Sequence, residues 1–277
     1  MKKHVFLLRE LIGGAISLFI AFMVAFPIIW IIFTSLKNNE EMFRIPVAIL
    51  PTEFYYKNYL DVLGLSKFLG YFFNSFVITV FSTIINIIFS ALAAFAFSRF
   101  NFKGKTGMLG IVVLTQILPG VTLLIPIYSF WVKFRLINTH LSLIITYAML
   151  NIPLTLWMLV GFFNTVPKEI DSAATIDGCS KMGTLYYILL PLSKPALFAS
   201  AIYVSLNVWQ EFLMASIMTT TEKMRTVMVG LYSFVGEKST NWGMLMAAAV
   251  LISIPVMCFF SLTQKQFANG LAGSVKG

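Results

Sequence analysis

Asn207, Gln210 and Glu211 fall at i, i+3 and i+4 with Tyr203 one turn earlier, in a stretch whose other residues are mostly apolar. On a helix this spacing makes one polar face among apolar neighbours. The chemistry open to such a face is hydrogen bonding, with Trp209 or Tyr203 nearby to stack on a flat ligand. A network of hydrogen bonds between helices is the alternative use of the same groups. Met214 and Met218 follow on the same side and read as packing. No set of Ser, His and Asp and no pair of carboxylates suggests bond-breaking chemistry, so the chain is not expected to be an enzyme.

The elements that carry this face follow from composition. Of the 277 residues 58% are apolar and 11% charged, with a mean hydropathy of +0.86, which one water-soluble core cannot hide. A helix needs about 20 apolar residues to cross a hydrocarbon layer ~30 Å thick. Six runs qualify: Leu11 to Thr34, Tyr71 to Ser98, Gly107 to Val132, Leu141 to Phe163, Pro195 to Met218 and Trp242 to Leu262. Barrel strands would be about 10 residues of alternating character, whereas these runs are continuous and longer. The expectation is an all-α integral membrane protein with six transmembrane helices, in one transmembrane domain over 1–277. Glu211 is the only acidic residue deep within an expected span, about 16 residues or ~24 Å along the fifth helix, and its face must turn away from lipid. Pro27, Pro119, Pro126, Pro153 and Pro255 each disturb a span.

The first run is too long for a cleaved leader. With the basic amino terminus inside, eleven of the 20 Lys and Arg residues face the cytoplasm, and the short loop Arg99 to Lys105 is wholly basic, as the positive-inside rule requires. The outside set includes Lys37, Lys133, Lys223 and Lys238. The net charge of +9 then needs no nucleic acid to explain it. His4 and His140 lie on opposite sides in this topology, which excludes a shared metal site. Cys179 and Cys258 are too far apart for a structural disulfide.

A second readable stretch runs from Val166 to Pro191. Pro167 suits a first helical turn, and Glu169 and Asp171 add negative charge where the helix dipole favours it. Ser172, Ala173 and Ala174 keep the helix slim, and Asp177-Gly178 ends it, since Gly takes φ > 0 at no steric cost. Ser180 caps a second short helix through Tyr186, Tyr187 and Ile188 to Leu190, before Pro191 and Pro195 interrupt the chain. Such a bent pair can seat in a partner's groove and transmit a push as a solid body.

Pro167, Ser172-Ala173-Ala174, Asp177-Gly178 and the ending Ile188-Leu189-Leu190-Pro191 together resemble the cytoplasmic coupling loop of bacterial ABC importer permeases. The family's Glu is Ser172 here, and Asp171 is the residue placed to compensate. The match extends along nearly the whole chain: Trp30 with Ser35-Leu36-Lys37, Asn58-Tyr59, Asn74-Ser75, Ala93 to Phe102, Trp209-Gln210-Glu211-Phe212-Leu213 and the tail from Gln264 to Gly277 are similar to the carbohydrate branch, in particular to the smaller permease of maltose-type importers, with the multiple-sugar or raffinose type as its closest flavour. The resemblance implies a type I importer fold with a coupling loop at about 164–193 between the fourth and fifth spans and a short tail at about 264–277.

It also implies ATPase coupling through Asp171, Ser172, Ala173, Ala174, Asp177 and Gly178, and a sugar path past Tyr203, Asn207, Trp209, Gln210 and Glu211. No cofactor is implied in this chain, with ATP and Mg in the partner ATPases. The implied partners are a second homologous permease, two ABC ATPases, an extracytoplasmic solute-binding protein and membrane lipid, with no nucleic acid. The implied location is the bacterial cytoplasmic membrane, multi-pass, with both termini cytoplasmic, and the implied function is sugar import, of an oligosaccharide, by alternating access. The competing readings are an ion-coupled secondary transporter, which would place several ionisable groups near the midplane, and a non-transporting assembly subunit.

Overall fold

The protein is described here from a computed structural model, which covers residues 2–235 and 240–274. The described residues are helical or irregular, with one isolated β-bridge between Val235 and Thr240 and no strand. α1 (Lys2–Ser35) is followed by the short α2 (Asn39–Met42) and α3 (Lys57–Gly64). α4 (Ser66–Arg99) leads through α5 (Lys105–Leu114) and α6 (Leu124–Lys133) to α7 (His140–Thr165). Then come α8 (Lys168–Ile176), α9 (Lys181–Gly183), α10 (Leu190–Leu192) and α11 (Lys194–Gln210). α12 (Leu213–Met218), α13 (Val227–Tyr232) and α14 (Trp242–Ser274) complete the chain.

Four helical stretches are long and apolar enough to cross a membrane: Ile12–Ser35, Lys67–Arg99, His140–Thr165 and Trp242–Phe259. The expected third span is bent in its middle and the helix of the fifth joins the segment before it at a sharp angle. Lys105–Ile117 and Gly120–Lys133 meet at 98°, and Lys181–Leu192 and Lys194–Gln210 meet at 78°. The count is therefore four, or six if each bent pair is one span. In the first pair Leu118 and Pro119 adopt extended backbone (ψ 126° and 127°) between two short 3-10 turns. Pro119 lacks the N–H that would continue the ladder and steers the residue before it away from helix. By contrast Pro27, Pro153 and Pro255 lie inside continuous helices, and Pro126 sits in the first turn of α6, where a missing N–H costs nothing.

The chain divides into two compact units, one of residues 1–68 with 231–254 and one of 69–230 with 255–277. In the first, the exit from α1 is tied by Asn58, whose amide donates to the carbonyls of Ser35 (2.9 Å) and Lys37 (2.8 Å). Ser35 and Tyr59 share a 2.6 Å hydrogen bond, and the Lys37 ammonium bonds the Ala48 carbonyl and lies 5.4 Å from the Trp30 ring centre. Gly243 leaves room for this knot, since a Cβ there would stand 2.6 Å from the Asn58 amide. The most apolar window of α1 has no buried residue.

The loop after α2 is closed by Glu41, which accepts from the Thr52 amide (2.6 Å) and hydroxyl (2.7 Å). The hydroxyl and then the amide hold its carboxyl below the usual carboxylate range. A lowered folded-state pKa means that the link is complete above the ordinary value and is lost as pH falls through the lowered one. Glu41→Gln is expected to lower the protection of the Thr52 amide against hydrogen exchange by about 2- to 10-fold, and acidification of the parental chain should lower that protection, taken relative to the intrinsic rate at each pH, in the same way. Equal exchange in both proteins across that pH range would show that the contact does not hold the loop.

In the second unit α4 is stitched to α7 by polar side chains on an apolar helix. Ser82 donates to the Ile144 carbonyl (3.0 Å) and Asn86 to the Ala148 carbonyl (2.9 Å), all buried. One apolar cluster gathers Ala94, Phe95, Leu159, Phe163, Leu185 and Leu189. Another gathers Ile78, Trp131, Leu143, Tyr147, Val204 and Met218. α14 runs to Ser274, so the backbone of residues 264–274, expected as part of a short tail, is helical. Residues 275–277 and the loop residue Lys238 lie outside the described residues.

Candidate functional site

The stretch after α7 folds as its local residues dictate. Pro167 precedes α8, and Glu169 and Asp171 occupy the first turn. Asp177 caps the other end and Gly178 takes φ +80°, which lets the Cys179 amide reach the Ala174 carbonyl at 2.8 Å and the Gly178 amide reach Thr175 at 3.1 Å. These bonds satisfy carbonyls that the end of a helix otherwise leaves open. The Ser180 hydroxyl accepts from the Gly183 amide (3.0 Å) and starts α9.

The expected second helix is longer than its sequence suggested. Pro191 does not stop it: the chain passes from α9 through a π-helical turn, Thr184–Leu189, into α10. Ser193 marks the 78° bend instead. Wider winding just before Pro191 relaxes the ladder that its ring would otherwise break.

This hairpin presents an unusual surface. Ser172, Ala173, Thr175, Asp177 and Gly178 are exposed, whereas Ala174 faces inward. Ile176 is 86% exposed and Tyr187 73%, with Met182 and Tyr186 also open. A slim polar ridge flanked by bare apolar side chains is a shape that a partner covers.

Asp171 does not belong to that ridge. Its carboxylate stands 2.5 Å from Arg99 Nε, with side chains 16% and 6% exposed. The contact is one of charge rather than an aligned hydrogen bond, since Arg99 Nε and Asp171 Oδ1 have no hydrogen-bond partner. The other Arg99 nitrogens donate to the carbonyls of Phe163 (2.8 Å) and Val166 (3.1 Å). The expectation that Asp171 stands in for the missing Glu at Ser172 therefore meets a competing use of that carboxylate. From the sequence Arg99 reads as a topogenic charge within the Ala93 to Phe102 resemblance, with no role at a site.

The polar face on α11 is also rearranged. α11 ends at Gln210, Glu211 adopts extended backbone (ψ 127°), and α12 starts at Leu213. The fifth run is therefore not one helix from Pro195 to Met218. The Glu211 carboxylate accepts from the amides of Met214 (2.8 Å) and Ala215 (3.1 Å) and from the Tyr147 hydroxyl (2.5 Å). It caps α12, where the helix dipole favours its charge.

Tyr203, Asn207, Gln210 and Glu211 nonetheless come together, lining with Leu206 a shallow concavity of about 360 Å³. Trp209 does not join them: it is buried and packs edge-on against Phe72 at 5.3 Å. Its surroundings belong to a second, apolar groove of about 390 Å³ that includes Phe76, Thr79, Thr83, Ser205 and Phe259. The buried Thr79 and Thr83 hydroxyls have no hydrogen-bond partner. Nothing in the spacing of α4 marked these two threonines, because Ser and Thr recur on all its faces.

Residues 86–272 match the family described as binding-protein-dependent transport system inner membrane component, and both stretches above lie within that range. The trehalose/maltose transport system permease of Thermococcus litoralis is 36% identical over 281 residues, the full length of both chains. A sulfoquinovosyl glycerol transport system permease of Agrobacterium fabrum is 35% identical over 91% of this chain and 89% of its own. Among solved structures, a bacterial ABC transporter involved in the import of the acidic polysaccharide alginate aligns with a TM-score of 0.80 over 93% of this chain and 96% of its own, at 21% identity.

Proposed function

Because the chain belongs to the family of inner membrane components of binding-protein-dependent transport systems, we propose that it is a permease subunit that carries a sugar inward by alternating access. The single observation that carries the mechanism is the rigid hairpin α8–α10, with its exposed ridge Ser172, Ala173, Asp177, Gly178 and the bare Ile176 and Tyr187 beside it. A short helix closed by the turn at Gly178 and followed at once by a second helix moves as one body, which a flexible loop does not. In this reading the hairpin lies on the cytoplasmic side with both termini, seated on one of two ATPase subunits. ATP and Mg bind those subunits, and a second permease and an extracytoplasmic solute-binding protein complete the complex.

Sugar as the solute class rests on the names of the relatives and agrees with the uncharged donors and acceptors of Tyr203, Asn207 and Gln210, which suit hydroxyl-rich ligands. An oligosaccharide is the form we favour. Affinity purification of the tagged chain in mild detergent is expected to recover an ABC ATPase, a second permease and a solute-binding protein. The reconstituted complex should take up oligosaccharide in proportion to ATP hydrolysed. Recovery of the intact chain alone after crosslinking, with uptake driven by an ion gradient, would overturn the proposal.

A further inference from the structure

We propose that Arg99 is the positioning residue that makes the coupling helix α8 move as one piece with α4 and α7, and that its pair with Asp171 is the joint. This rests on the coupling role proposed above and adds how displacement enters the membrane segments.

Arg99 is the last residue of α4. Its guanidinium reaches two other elements at once: the end of α7 through the carbonyls of Phe163 and Val166, and the first turn of α8 through Asp171. Next to it the Ser98 hydroxyl donates to Asn164 Oδ1 at 2.8 Å. The cation thus sits at the negative end of the α7 dipole and faces an anion at the positive end of the α8 dipole. Three helix ends converge on one planar group whose donors have fixed directions.

Three features separate this from an ordinary surface ion pair. Both side chains are largely buried, so solvent does not screen the pair. The fork geometry is specific to Arg, since a lysine ammonium on a flexible stem cannot serve the two carbonyls in fixed directions while holding its charge against the carboxylate. Of the remaining α8 attachments, Ile170 packs on the apolar cluster from the first turn, while Ala174 packing and the Cys179–Ala174 bond lie toward its other end. Without the Arg99–Asp171 contact the first turn keeps only chain connectivity through Pro167 and the apolar packing of Ile170, which is non-directional. A push on α8 would then pivot the helix rather than shift α4 and α7.

The test uses the complete complex in nanodiscs and proteoliposomes, with Asp171→Asn, Asp171→Glu and Arg99→Lys. Asp171→Asn and Arg99→Lys are expected to hydrolyse ATP at the parental rate or faster while solute uptake per ATP falls at least tenfold. Asp171→Glu, which keeps the charge, should return to within about threefold of the parental ratio. Hydrogen exchange of the same complexes should rise at least tenfold in 168–176, with 140–163 unchanged. The idea fails if Asp171→Asn keeps the parental uptake-to-hydrolysis ratio, or if uptake and hydrolysis decline together. Should a variant assemble poorly, the exchange measurement on the complex that does form decides: unaltered protection of 168–176 overturns the joint. Failure of the coupling role itself looks different, because the parental chain would then bind no ATPase.

Discussion

Glu211→Ala is expected to destabilise the second unit by about 2–4 kcal/mol and to abolish most uptake. The substitution removes three acceptor contacts together: the amides of Met214 and Ala215 and the hydroxyl of Tyr147. Hydrogen bonds to a charged group contribute about 1.5–3 kcal/mol each, and a buried donor left alone costs about 1–3 kcal/mol; water entering the half-exposed site recovers part of this. Glu211→Gln keeps one acceptor oxygen and should fall between.

The informative contrast is with Asn207→Ala and Gln210→Ala. Both side chains are exposed, and Asn207 bonds only locally to the Tyr203 carbonyl (3.0 Å), so stability should change by less than about 0.5 kcal/mol. A rise in the KM for solute in those two variants, with thermal unfolding unmoved, would assign them to the path. If Glu211→Ala instead unfolds at the parental temperature and only KM rises, the carboxylate serves the solute and not the break between α11 and α12.

Gly178→Val carries the second large effect. At φ +80° an L-residue is strained by about 1–2 kcal/mol, and a β-branched one tolerates the region worst. The cost is purely torsional, because a Cβ at this position would meet nothing within 4 Å. Valine relieves it by turning the chain, which pulls the Cys179 amide from Ala174 and redirects everything from Ser180 onward. Uptake by complexes of parental composition should fall at least tenfold, while Gly178→Asn, whose side chain tolerates this backbone, should retain most of it. Parental transport by the valine variant would mean that the angle between the two arms of the hairpin is irrelevant to coupling.

Those two positions also mark what a linear reading can reach. The α8 turn was legible because Pro167, Asp177-Gly178 and Ser180 act on backbone within four residues of themselves. The break at Glu211 was not, since Trp209-Gln210-Glu211-Phe212 holds no proline or glycine and the carboxylate is fixed by Tyr147, 64 positions away. Arg99 was invisible for the same reason: its acceptors on Phe163 and Val166 stand 64 and 67 residues off. Trp209 could equally have pointed to the concavity, and only the packing against Phe72 decides. Pro119 beside Gly120 announced a disturbance, yet not a 98° turn, whereas Pro191, with equal claim as a breaker, is absorbed by a π-turn. Proline identity reports a missing donor; the surroundings decide whether the chain bends.

The bend at Leu118-Pro119 has one more consequence. It stands about 20 Å beyond the basic start of α5, and Ile117, Leu118 and Val121 around it are all exposed. Although the backbone is extended there, the Leu118 amide still reaches the Thr115 carbonyl (3.3 Å) and the Pro119 carbonyl accepts from the Thr122 amide (2.9 Å), as peptide groups facing hydrocarbon must. What the bend leaves bare is side chain: an apolar bulge that lipid or a neighbouring protein can cover without any of these backbone groups losing its partner.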